Sequence, residues 1–144
     1  MIIIEEVQNK YYPALKELFL NERKKTFSWL DTSKFHLDDF EKYTKGEYIL
    51  TALVNDIPVG FISIWMPTNF IHHLYVDEKY QNKKIGTELL KAAIGVTKSA
   101  VTLKCLENNT KAIEFYKKRG FTEKEKAYSQ HGSCIFLKSS EEIV

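Results

Sequence analysis

Residues 70–106 read FIHHLYVDEKYQNKKIGTELLKAAIGVTKSAVTLKCL. The stretch opens on a β-rich run, Phe70–Val76, and passes through a polar loop. It continues as Thr87–Lys98, where Leu89, Leu90, Ala93 and Ile94 share one helical face. A second β-rich run, Val101–Leu106, closes it. Strand, crossover helix and strand of these lengths predict a parallel pair joined by a right-handed connection. A ligand of such a unit belongs beyond the carboxyl end of the first strand, at the helix start.

Working outward, Ile2–Glu6 reads as a short strand. Asn9 precedes a helical pattern carrying Leu15, Leu18 and Phe19, with Pro13 allowed in its first turn. Thr26–Phe35 is irregular and rich in aromatics, and Leu37–Tyr43 suits a second short helix. Tyr48–Val54 and Ile57–Met66 are β-rich runs separated by the turn pair Asn55-Asp56. Downstream, Thr110–Arg119 is a helix with basic residues in its last turn and Gly120 as its stop. Phe121–Tyr128 and Cys134–Lys138 form a closing hairpin about Gln130-His131-Gly132. The expected order is β-α-α-β-β-β-α-β-α-β-β. The expected fold is α/β: a single mixed, mostly antiparallel sheet flanked by helices, in one domain over residues 1–144.

The 144 residues are enough to bury a core, and the 44% hydrophobic fraction argues against extensive disorder. A formal net charge of +2 with interleaved lysines and glutamates does not make the clustered basic face of a nucleic-acid binder. No apolar run approaches the ~20 residues that span a bilayer. The N-terminus lacks a signal-peptide pattern. Cys105 and Cys134 make neither a metal nor a secreted-disulfide pattern, so the expectation is a cytoplasmic protein without membrane or nucleic-acid partners. A homodimer is left open.

The loop Tyr80–Leu90, YQNKKIGTELL, has two readings. The opening amides of a helix lack intrahelical partners and carry partial positive charge, so they can bind an anion. Gly86 would let the backbone approach it, with Lys83 and Lys84 adding charge. A single glycine before a helix also suits an ordinary strand-to-helix turn.

The second half of the chain separates these readings. NNTKAIEFYKKRGF, Asn108–Phe121, together with LYVDEKYQNKKIG, Leu74–Gly86, resembles the GCN5-related N-acetyltransferase (GNAT) superfamily. The superfamily's pyrophosphate motif, Gln/Arg-x-x-Gly-x-Gly/Ala, is matched by Gln81-Asn82-Lys83-Lys84-Ile85-Gly86, with Lys84 in place of the first glycine. The resemblance implies the acyl-CoA N-acyltransferase fold, and transfer of an acetyl group from acetyl-CoA directly to an amine of a small molecule or peptide. It places acetyl-CoA against Leu74, Tyr75, Val76, Gln81, Asn82, Lys83, Lys84, Ile85, Gly86, Thr87, Asn109 and Tyr116. A lysine at positive φ is costly because its Cβ crowds the left-handed region. Lys84 is therefore expected at negative φ with a free backbone N–H, its side chain outside the cradle near the CoA phosphates. A second reading, from another class, is a non-catalytic acyl-CoA-binding sensor. Intact Asn109 and Tyr116 count against it.

An amine with a pKa of about 10.4 is less than roughly 0.1% neutral at pH 7, so transfer needs a route for its proton and an acid for the thiolate. Tyr116, seven residues after Asn109, stands at the superfamily's acid position; as a plain sequence feature, Phe115-Tyr116 is equally the apolar face of a helix. Asn109 just before Thr110 also suits a helix cap. His72 matches a histidine of arylalkylamine N-acetyltransferases and suits a general base, while a histidine satisfied in the sheet is the plainer reading. Alternation turns His72 and His73 to opposite faces, so the pair is not expected to grip one metal ion and no metal is expected. Lys104 replaces the glutamate that ribosomal-protein acetyltransferases carry five residues before the asparagine. Phe27, Trp29 and His73 are candidates for the acceptor side, Cys105 reads as a buried inert thiol, and Trp65 reads as core.

Overall fold

The computed structural model describes residues 1–140. Each β-rich run becomes a strand of one seven-stranded sheet: β1 (Ile2–Glu6), β2 (Tyr48–Val54), β3 (Ile57–Trp65), β4 (Phe70–Val76), β5 (Thr102–Leu106), β6 (Thr122–Ser129) and β7 (Gly132–Lys138). Their spatial order is β1-β2-β3-β4-β5-β7-β6. Only the β4–β5 contact is parallel; the other neighbours run antiparallel. The helices are α1 (Tyr12–Thr26), α2 (Asp39–Tyr43), α3 (Ile85–Thr97) and α4 (Thr110–Lys118). This is the order expected from the sequence. Asn55 and Asp56 both take positive φ, 51° and 64°, which a tight turn between twisted strands requires.

Both faces of the central strands are covered, so β2 is buried at Ile49–Leu53 without the polar alternation of a half-exposed strand. On one face, Ile85, Leu89, Leu90 and Ala93 of α3 pack with Ile62, Ile64, Ile71 and Leu103. On the other, Leu15 and Phe19 of α1 and Phe40 of α2 pack with Ile49, Leu53 and Phe61. Phe19, Phe40 and Phe61 meet edge to face with centroids 5.1–5.9 Å apart, the arrangement their ring quadrupoles favour. Trp65, expected in the core, is 43% exposed. It lies at the last residue of β3, where the covering layers end.

The irregular segment between α1 and α2 is organised by one ion pair. Arg23 reaches Asp39 at 3.1 Å, both side chains nearly buried, and its guanidinium stacks over Phe35 at 3.9 Å and Phe19 at 4.5 Å. Asp39 also accepts the His36 N–H at 3.0 Å. Burial alone would raise the Asp39 carboxyl, but the His36 amide and Arg23 outweigh it and hold the group below the usual carboxylate range. Among the described residues, no helix is long and apolar enough to cross a membrane.

The folded Asp39 pKa lies below the unfolded one. Its contribution is therefore complete above the ordinary range near pH 4 and is lost as pH falls through the lower folded value. Asp39→Asn should cost about 3 kcal/mol at neutral pH, because it strands a nearly buried guanidinium. Urea unfolding of the variant should also lose stability less steeply below about pH 4. A curve parallel to wild type would contradict the pair's role.

Candidate active site

The site starts from a gap in the sheet. β4 and β5 pair only at Phe70 with Thr102, then diverge. On its other side β4 stays in register with β3, with Val76 opposite Gly60 and Leu74 opposite Ile62. The Asp77 N–H bonds the Val59 carbonyl at 2.8 Å, which fixes the alternation of that ladder. It turns the amides of Leu74 and Val76 away from β3, toward the strand that has departed. Gly60 permits the close packing behind them: a Cβ there would stand 3.0 Å from the Tyr75 carbonyl and 3.3 Å from Val76. The side chain of Tyr75 points to the opposite face, against Phe19 and Phe61.

At the mouth of the gap, residues 81–87 lead into α3. Gln81 donates to the Val76 carbonyl at 2.9 Å and lies 3.4 Å from Glu22 Oε1. Glu22, buried on α1, also accepts the Glu78 N–H at 3.2 Å. This buried carboxylate ties the loop to the far side of the sheet, and its two partners there, Glu78 and Gln81, are more than fifty residues away in sequence. Among the described residues, the backbone N–H groups of residues 82–87 have no hydrogen-bond partner; the first amide to be satisfied is Glu88, by the Lys84 carbonyl at 3.0 Å. Asn82 and Lys84 both take the left-handed conformation, with φ of 64° and 65°. The expectation of negative φ at Lys84 is therefore corrected. The loop needs a left-handed residue to turn successive amides inward, and Lys84 takes that conformation without being glycine. Its side chain is exposed, as are those of Asn82 and Lys83, whereas Ile85 is buried beneath the loop. The result is a run of unpartnered N–H groups at a helix start, suited to an anion.

Gly86 leaves room that α4 fills: a Cβ at this position would sit 3.4 Å from the Phe115 ring. Arg119, just past α4, stacks on Phe115 at 3.8 Å and donates to Thr87 Oγ1 at 2.8 Å. It brings a cation to the first turn of α3 that sequence reasoning did not single out. Asn109 caps α4 by accepting the Ala112 N–H at 3.4 Å. Tyr116 is buried against Phe115 and Phe121. Burial, with smaller effects from Cys105 and Tyr75, raises its hydroxyl above the usual phenol range, so it holds its proton. Burial, then Cys134, pushes the Cys105 thiol up to about 12, as an inert core cysteine requires.

The two histidines are not where strict alternation places them. Ser63 pairs with His73 but Ile64 pairs with Ile71, so His72 is an extra residue, a β-bulge on β4. Across the bulge the parity reverses. Ile71, Leu74 and Val76 pack on the α3 face, whereas His73 and Tyr75 join Phe19 on the α1 face. The expectation that His72 and His73 point apart is thus corrected: their rings stack with centroids 3.9 Å apart. His72 is exposed, and its Nδ1 lies 2.7 Å from Oε2 of Glu47. Glu47 is only 6% exposed at its side chain. Burial, then the neighbouring His72 and Arg23, pushes His73 down to about 3, against a backbone hydrogen bond to Tyr43. On the same side of the sheet Phe27 and Trp29 meet edge to face at 5.5 Å, and Trp29 is 40% exposed.

The diverging β4–β5 pair therefore has unpartnered loop amides at its mouth, and an extended ligand with an anionic end would fit such a gap. Residues 8–121 match the sequence model of the Acetyltransferase (GNAT) family, and the chain belongs to that family. An uncharacterized N-acetyltransferase of Methanocaldococcus jannaschii is 38% identical over 86 residues, covering 50% of this chain. That match takes in 38% of the archaeal protein, so the chain corresponds to well under half of it. The PaiA N-acetyltransferase of Thermoplasma acidophilum, solved in complex with coenzyme A, has the same fold. Its TM-score is 0.81 at 19% identity, covering 97% of this chain and 99% of that one. A GNAT-family acetyltransferase from Staphylococcus aureus superposes with a TM-score of 0.73 at 25% identity, covering 96% and 98%.

Lys84 bears a backbone cost that glycine would not. Lys84→Gly should raise stability in urea by about 1 kcal/mol, the scale of a left-handed L-residue less the freedom glycine adds to the unfolded chain. Destabilisation instead would mean that the lysine stem packs on the loop and outweighs its backbone cost.

Proposed function

We propose that the chain is an acetyl-CoA-dependent N-acetyltransferase that passes the acetyl group directly to an amine within a ternary complex. The observation that carries this reading is the pairing of free Leu74 and Val76 amides with the amide cradle of residues 82–87. An extended pantetheine arm would complete the interrupted β4 edge, as an added strand would. The pyrophosphate would lie on the cradle, with Lys83, Lys84 and Arg119 adding charge around it. Asn109, whose side chain also caps α4, stands beside the arm's path.

The chemistry then needs three things. An oxyanion forming on the acetyl carbonyl needs a preorganised N–H, and the turned-out β4 amides supply one. The amine must lose a proton. Glu47 accepts from His72 Nδ1–H, which leaves Nε2 with a lone pair to take that proton directly or through a water. The departing thiolate must gain one, and Tyr116 keeps its hydroxyl protonated for that donation. The amine nitrogen bonds to the acetyl carbon, the carbon–sulfur bond breaks, and the products are an amide and CoA thiol. Phe27, Trp29 and His73 are the acceptor-side residues of this reading, and the exposed Trp29 surface would fit a small-molecule or peptide amine with an apolar body.

Steady-state kinetics across amino acids, polyamines, arylalkylamines, aminoglycosides and peptides test the reading. Tyr116→Phe and His72→Ala should each lower kcat by about 10²–10⁴-fold while leaving acetyl-CoA affinity nearly unchanged. Unaltered turnover in either variant would remove that residue from the mechanism. CoA binding without turnover on any amine would instead identify an acyl-CoA sensor.

A further inference from the structure

We propose that Glu47, His72 and His73 form a binding site for a divalent transition-metal ion of the zinc class. Each offers one ligand atom, and these atoms all lie within 4.8 Å of one another. Two imidazoles and a carboxylate suit zinc, cobalt or nickel; magnesium and calcium prefer all-oxygen sites.

The second observation is that two of these groups carry lone pairs with nothing to receive them. Glu47 Oε1 and His73 Nε2 are both sealed from solvent, and neither has a hydrogen-bond partner among the described residues. The Tyr43 backbone influences the His73 ring from its other side, and Nε2 is the buried ring nitrogen without a partner. A metal-binding histidine is commonly held by a backbone carbonyl on its other nitrogen. A buried polar atom without a partner is costly, and one cation between Oε1 and Nε2 would satisfy both.

The geometry also supplies the rest of the site. The bulge at His72 brings two consecutive histidines to one place on β4, which an unbroken strand forbids. His72 is exposed, so the third ligand comes from the solvent side and a fourth position stays open, as in three-ligand zinc sites. Glu47 Oε2 and His72 Nδ1, at 2.7 Å, stand closer than the ~3.4 Å between two ligands on tetrahedral zinc with bonds of about 2.0–2.1 Å. The exposed His72 ring would therefore swing out, Nδ1 giving up the proton it shares with Oε2 to join an ion held by Glu47 Oε1 and His73 Nε2. Arg23, a positive charge that acts on His73, is paired with Asp39.

A metal on His72 Nδ1 leaves the ring proton on Nε2, so the metal-bound form and His72 acting as a base are alternatives, and the site is tested without acetyl-CoA or an amine. Untagged protein is titrated with Co²⁺ and followed by absorption, then challenged with Zn²⁺. One equivalent should bind with visible bands of nitrogen and oxygen coordination and no thiolate charge-transfer band, and Zn²⁺ should displace it. Glu47→Gln, which keeps shape, and His72→Ala, which alters an exposed side chain, should each weaken binding at least tenfold. The proposal is overturned if wild type binds no Co²⁺, if both variants bind like wild type, or if a thiolate band assigns the ion to Cys105 or Cys134.

Discussion

Strand β4 has a ladder partner along one edge and, beyond Phe70, none along the other. Backbone amides in a protein interior must be satisfied, by structure, water or ligand. The divergence of β5 from β4 therefore leaves the Leu74 and Val76 amides free for the ligand that the proposed function assigns to them. Much of the remaining architecture maintains that gap. β5 is held from its far side by five register pairs with β7, and Gly60 lets β3 hold β4 closely from the other. The sheet can open at its middle because each half is completed elsewhere.

The same economy of backbone governs the loop. Its amides lack partners in a backbone where Asn82 and Lys84 take left-handed conformations that cost energy in L-residues, and such strain tends to persist where surrounding structure enforces it. Enforcement comes from Glu22 through Gln81 to the Val76 carbonyl, and from Phe115 against Gly86. On the opposite face the bulge at His72 does comparable work. It moves His73 onto the α1 face, beneath Phe19, and leaves His72 free to meet Glu47.

The element order was legible because periods of 2 and 3.6 dominate the apolar pattern, and the turn residues Asn55-Asp56 and Gly120 punctuate it. The bulge was not read, although a trace of it exists: Ile71, Leu74 and Val76 are spaced three and then two, which breaks strict alternation. The left-handed angle at Lys84 is not legible in the lysine itself, whose own preference is for negative φ; the glycine of the family motif at that place marks what the backbone demands. Glu22 and Glu47 gave no local signal, since a glutamate on a helix or loop reads as solvated until its distant partner is seen. Trp65 was expected in the core from its β-rich run, yet that run outlasts the layers covering it.

The central claim is that the β4 amides and the loop amides form one continuous ligand surface. The most direct measurement is a titration of ¹⁵N-labelled protein with CoA, following backbone amide shifts. The account predicts that the largest changes fall together on residues 82–87 and on Leu74 and Val76. Saturable CoA binding that leaves both sets of amides unmoved would contradict it.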